Sequence, residues 1–203
     1  MKNAILALAV GSLIGPLTAG AADFGPKTLD GWRYGDTASI KEGKLGSYAQ
    51  WNAAIAVTVA HVPTRSAVYE VPCADIKFFP APGTPLVWAT PTLGESVVAV
   101  GSAIVGRGTY AKIEPQAIYG KVDSVSIVIC DGGGQFLVQS GKTLAGMSGG
   151  PVFRVSDGKA IGITKGYADS PEHGVHGSVL IPYNVLQAAW NLAVQEVPSL
   201  AGL

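Results

Sequence analysis

Gly146-Met147-Ser148-Gly149-Gly150-Pro151 sets a single hydroxyl among glycines. The two glycines after the serine let the backbone turn tightly behind it. Gly146, two residues before, can aim its own N–H at a reacting oxygen. The N–H groups of Gly146 and Ser148 then make an oxyanion hole, in which one donor is typically worth about 3–4 kcal/mol. A serine hydroxyl needs a base to become a nucleophile. Upstream, Val57-Thr58-Val59-Ala60-His61-Val62 is an apolar run ending in a histidine, whose imidazole exchanges a proton near neutral pH. A third group, an acid, must orient that imidazole. Between His61 and Ser148 the acids are Glu70, Asp75, Glu95, Glu114, Asp123 and Asp131. Asp75 opens Ala74-Asp75-Ile76-Lys77-Phe78, at the mouth of an apolar strand, where a carboxylate can point along the sheet end. Glu70 reads as mid-strand and Asp131 as part of a Gly-rich turn, so Asp75 is the choice.

The elements that position these groups are short. From Ile55 onward the apolar runs are Ile55–Val59, Ala67–Val71, Ile76–Phe79, Ser96–Val100, Val125–Cys130, Phe136–Gln139, Val152–Val155, Ala160–Thr164 and Ser178–Ile181. Gly or Pro punctuates nearly all of them, which predicts an all-β barrel or sandwich. One segment differs. From Tyr183 to Val194 the residues Val185, Leu186, Ala189, Trp190 and Ala193 recur at three- and four-residue steps, which predicts a C-terminal amphipathic helix after Pro182. The Pro-rich stretch from Pro80 to Leu93 is the place for a boundary between two halves.

The chain has 203 residues, with 14 Lys+Arg against 14 Asp+Glu, so no basic footprint for nucleic acid exists. With 48% apolar and only 14% charged residues, a disordered chain is excluded. Residues 1–21 read as a signal peptide: Lys2, an apolar run from Ala4 to Ile14, and Ala19-Gly20-Ala21 as a cleavage site. The run is shorter than the roughly 20 residues that span a bilayer, and no later segment is expected to span one. The expected location is secreted or periplasmic. Cys73 and Cys130 suit an exported chain. A bridge between them would close a loop worth about 4 kcal/mol in the chain-entropy account; two buried thiols are the alternative.

Thr58-Val59-Ala60-His61, then Asp75-Ile76, then Gly146-Met147-Ser148-Gly149-Gly150-Pro151 resembles the chymotrypsin-like (trypsin-fold) serine peptidases, in the same His…Asp…Ser order. The tail is most similar to the HtrA and glutamyl-endopeptidase branches, where Ala160-Ile161-Gly162-Ile163-Thr164 is followed by Gly174-Val175-His176-Gly177-Ser178-Val179-Leu180-Ile181-Pro182 and a closing helix. Gly94 to Gly101 resembles the strand that opens their second barrel. The resemblance covers roughly residues 45–195. It implies two six-stranded antiparallel β-barrels: residues 22–93 with His61 and Asp75, and residues 94–203 with Ser148 and the helix. It implies an acyl-enzyme endopeptidase acting on polypeptides, with no metal and no cofactor; separately, a monomer is expected.

Two departures stand out. His61 and Asp75 are only 14 positions apart, fewer than the family usually spends there, so either the first barrel is trimmed or the acid is another residue. Met147 stands where the trypsin branch carries an aspartate that pairs with a new N-terminus, so activation by such a cut is not expected. The resemblance places the substrate pocket at Lys142, Thr143, Thr164, Lys165, Gly166 and Gly174. Thr143 matches a threonine of the glutamyl-specific branch, whereas Thr164 replaces that branch's histidine, so its glutamate preference does not carry over. Lys142 and Lys165 read first as solvent-facing; near the pocket, a lysine would favour acidic or polar substrate side chains.

Three rival readings exist. Gly146 to Gly150 also fits the G-x-S-x-G elbow of α/β-hydrolases, with Asp169 and His173 or His176 as partners, but Gly-Gly-Pro is a poor helix start. His173, His176 and the cysteines form a weak metal pattern. The rival of a different class is a non-catalytic binding module on the peptidase fold.

Overall fold

Asp30 and Gly31, at φ 51° and 86°, form a tight turn whose handedness suits a two-residue hairpin. They join β1 (Gly25–Leu29) to β2 (Trp32–Asp36). The computed structural model describes residues 25–37, 45–64, 66–106, 112–128, 135–170 and 175–203. The expected signal segment and Cys130 lie outside them.

The first sheet continues with β3 (Ser47–Gln50), β4 (Ile55–Thr58), β5 (Tyr69–Val71) and β6 (Ile76–Pro80). Its order is β1-β2-β3-β4-β6-β5, antiparallel throughout. The second sheet holds β7 (Ser96–Val105), β8 (Lys112–Val128), β9 (Gln135–Gln139), β10 (Pro151–Arg154), β11 (Ala160–Ser170) and β12 (Val175–Pro182). Its pairings run β10-β11-β12-β9-β8-β7, and β10 pairs back onto β7, so this sheet closes on itself. Among the described residues β1 and β5 are not joined, so the first sheet shows no such ring of pairings.

Strand alternation divides the core. Val97, Ala99, Val152, Ile161 and Leu180 face the inside of the second sheet together with Met147. Their neighbours Val98, Val100, Phe153, Ala160 and Ile181 face the other way and share a core with Ile55, Val57, Ile76 and Phe78 of the first sheet. The helix α1 (Tyr183–Glu196) buries Leu186, Ala189 and Ala193, the first two of them in this shared core. Trp190 lies 5.1 Å from Phe78 and 6.0 Å from Trp51, ring centre to ring centre, so the C-terminal helix packs onto the N-terminal sheet.

Thus the structure is mostly β, with two antiparallel sheets and a C-terminal helix. Three strands lie before Ile55, where the apolar pattern predicts none. β7, β8 and β11 run longer than their apolar runs because ladder hydrogen bonds carry them past polar residues such as Lys112, Glu114 and Lys121.

Candidate active site

β4 and β6 deliver the histidine and the acid. They pair with Thr58 opposite Lys77. Two steps further the same register sets Ala60 against Asp75, and Ala60 N–H donates to Asp75 O at 3.1 Å. The 14-residue interval is therefore sufficient, because His61 and Asp75 leave neighbouring strands at the same end. The intervening chain spends its length on β5 and a 3-10 turn, Pro72–Ala74. Asp75 ends that turn in the left-handed region, at φ 56° and ψ 42°. Such a conformation costs on the order of 1–3 kcal/mol, less for Asp than for most side chains. Asp75 N–H bonds Pro72 O at 3.0 Å. Two residues away, Cys73 is disulfide-bonded.

The Asp75 carboxylate is nearly buried and fully engaged. His61 Nδ1 lies 2.9 Å from Oδ2 and 3.1 Å from Oδ1, and His61 backbone N–H donates to Oδ1 at 3.1 Å. Lys165 Nζ donates to Oδ2 at 2.8 Å. Burial alone would raise the carboxyl's pKa. The hydrogen bonds and charges of His61 and Lys165 outweigh burial and bring it down to about 2. An ionised carboxylate only accepts, so Nδ1 carries the proton and Nε2 is left as the acceptor. The imidazole is half-exposed.

Backbone hydrogen bonds shape the serine loop. Ser47 N–H donates to Ser148 O at 2.8 Å, Gly149 N–H to Thr164 O at 2.7 Å, and Thr164 N–H to Gly150 O at 2.8 Å. Ser47 Oγ donates to Gly146 O at 3.1 Å. Gly149 has φ 86°, and a Cβ there would lie 1.9 Å from Thr58 Oγ1 and 2.2 Å from Ser47 O. Only glycine fits, so the loop rests directly on β3 and on β4, the strand that leads to His61. The N–H groups of Gly146 and Ser148 make no backbone hydrogen bond among the described residues. Two donors are thus left beside the half-buried serine. No hydrogen bond joins Ser148 to His61 among the described residues. Such contacts often tighten only with substrate bound. Met147 is wholly buried inside the second sheet, and its Sδ accepts from Leu144 N–H at 3.4 Å.

The expected pocket residues separate. Thr143 is buried: its N–H donates to Ser178 Oγ at 2.7 Å, and its Oγ1 lies 2.7 Å from the same atom. Thr164 is buried with Oγ1 unbonded. Lys142 is exposed, its Nζ 4.6 Å from the Tyr167 ring centre. Gly166 is half-buried and has open space where a Cβ would stand. Gly174 lies outside the described residues. Lys165 turns to Asp75 instead of outward. Sequence reading missed Ser47 and Ser178, which carry no motif. It also missed the Lys165 contact, because a lysine in a strand gives no sign of its partner.

Solved structures share this arrangement of strands. Rv3671c from M. tuberculosis, in an inactive form, superposes with a TM-score of 0.60 at 17% identity, over 77% of this chain and 84% of that one. The serine endoprotease from Yersinia pestis gives 0.60 at 17% identity, over 79% and 61%. The HtrA-type protease AlgW, solved with a tripeptide, gives 0.59 at 17% identity, over 75% and 56%. The chain has the fold of the trypsin-like, HtrA-type serine proteases. No protein-family model matches its sequence, and no curated protein does. The chain spans less than two thirds of the Yersinia enzyme and of AlgW. On this fold the strand after Ser148 is β10, where an α/β-hydrolase elbow needs a helix.

Proposed function

We propose that this chain is a serine endopeptidase with His61, Asp75 and Ser148 as its triad. The observation that carries the reading is the His61 Nδ1–Asp75 contact at 2.9 Å, with Nε2 left as the acceptor. In this reading His61 takes the Ser148 proton as Oγ attacks the substrate carbonyl carbon. The developing oxyanion is received by the N–H groups of Gly146 and Ser148. Asp75 stabilises the imidazolium, which then protonates the leaving amine. Water hydrolyses the acyl-enzyme by the same route in reverse order. The burial of Met147 supports activity without a new N-terminus, since no carboxylate waits there to receive one. We read residues 22–93 and 94–203 as the two halves of the enzyme, exported behind residues 1–21 to the periplasm or beyond. Its substrate is polypeptide, and we take it to be a monomer. No helix among the described residues is long and apolar enough to cross a membrane.

The absent Ser148–His61 hydrogen bond favours one second reading, a binding module on the same fold. A fluorophosphonate probe separates the two. Labelling of the wild type that is lost in Ser148→Ala and in His61→Ala supports the peptidase. A well-folded wild type that takes no label at pH 8 supports the binding module.

A further inference from the structure

β11 slips against β12 at one place. Thr164 faces Leu180 and Gly166 faces Val179, and Lys165 is the extra residue between them. A bulge of this kind takes a side chain out of the strand's alternation and re-aims it. Here the lysine stem leaves the second sheet, and its ammonium meets the carboxylate that the first sheet presents. It lands on Asp75 Oδ2, the oxygen closest to His61 Nδ1. With His61 N–H on Oδ1, rotation of the carboxylate would break a bond on either side. The lysine side chain is 25% exposed and that of Asp75 13%, so the pair is more sheltered from solvent than a surface ion pair.

We propose that Lys165 is a positioning residue for the His61–Asp75 pair: it fixes the carboxylate from across the two sheets and offsets its charge, so that the imidazole gives up its proton at lower pH than it would without the lysine. The consequence for catalysis rests on the peptidase reading; the effect on the imidazole does not. The sign follows from charge. A lone carboxylate favours the protonated ring, and a cation on that carboxylate opposes it. Among the described residues, the other charged groups on β5 and β6 at this end are Glu70 and Lys77. Lys77 Nζ bonds Val62 O at 3.0 Å and lies 3.7 Å from Glu70, so these two largely offset each other. On the serine loop the nearest charge in sequence is Lys142, which lies over Tyr167.

The test is a proton NMR titration of the His61 ring in the full protein, its signal identified by its loss in His61→Gln. In Lys165→Met the midpoint rises by about one pH unit relative to wild type; in Lys165→Arg it stays within a few tenths. Should the Met variant not fold, Lys165→Gln, which keeps a donor but drops the charge, takes its place with the same expected rise. An unmoved midpoint in the folded uncharged variant overturns the proposal. With a peptide substrate, the acid limb of kcat/KM moves up with the ring titration while KM holds. A changed KM with an unmoved limb would return Lys165 to the substrate pocket. If the wild type takes no fluorophosphonate, the peptidase reading fails, and the ring titration still decides the role of Lys165.

Discussion

Asp75 is held by side chains and Ser148 by main chain. At Asp75 a left-handed residue keeps its place through His61, Lys165 and a bond to Ala60, next to a disulfide-bonded cysteine. At Ser148 the carbonyls and amides of residues 146–150 bond Ser47, Met147 and Thr164, and glycine permits the close approach. The first arrangement depends on charge and therefore on pH. The second depends on the lack of a Cβ and is blind to pH. Under the proposed peptidase reading, a site assembled from both loses its base to acid while keeping its nucleophile loop intact.

The largest expected effect falls on the charged side. Asp75→Asn removes the charge and turns one of the two acceptor oxygens that hold the imidazole tautomer into a donor, and fluorophosphonate labelling of Ser148 should slow by about a thousandfold or more. Labelling within tenfold of wild type would assign the orienting role to another group. On the main-chain side, Gly149→Ala meets Thr58 Oγ1 and Ser47 O at a positive φ. Strain and overpacking together predict a loss of about 3 kcal/mol or more in urea unfolding. Gly158→Ala supplies the control, since its φ is 71° but nothing stands within 4 Å of the added Cβ. It should cost only about 1 kcal/mol. Equal costs at the two positions would mean that the serine loop does not press on β4.

The acid side of the comparison has a fixed sign. Asp75 is held at about 2, below its ordinary 3.8. The stability it contributes is present above pH 4 and is lost as the pH falls towards 2, amounting to about 2 kcal/mol. Urea midpoints of wild type and Asp75→Asn should therefore converge across that window. Parallel curves would show that the carboxylate is not held by charge.

The features legible in the sequence were those that chemistry forces on particular residue types. Ser148 needs glycines around it, and α1 needs apolar residues at helical steps. The strands before Ile55 escaped notice because Trp32-Arg33-Tyr34-Gly35-Asp36 lacks a clean β-branched run, although Asp30-Gly31 was a readable hairpin signal. The adequacy of the His61–Asp75 interval could not be read from its length, since it depends on the register of β4 against β6. Lys165 was hidden for a similar reason. A bulge sets where its side chain points, and bulges arise from pairing between strands distant from any local pattern.

Ser47 shows the same point and offers the smallest test. Its Oγ donates to Gly146 O at 3.1 Å and accepts from Ser102 N–H at 3.1 Å, both buried. Ser47→Ala leaves Ser47 N–H on Ser148 O but strands that carbonyl and that amide, at about 1–2 kcal/mol. If the side chain helps to aim the Gly146 peptide, labelling should slow by up to about tenfold, beyond anything explained by unfolding, because 1.4 kcal/mol in a barrier is a factor of ten. If labelling is unchanged while stability falls, the backbone alone sets the oxyanion donors, and the contrast between the two sides of the site becomes sharper still.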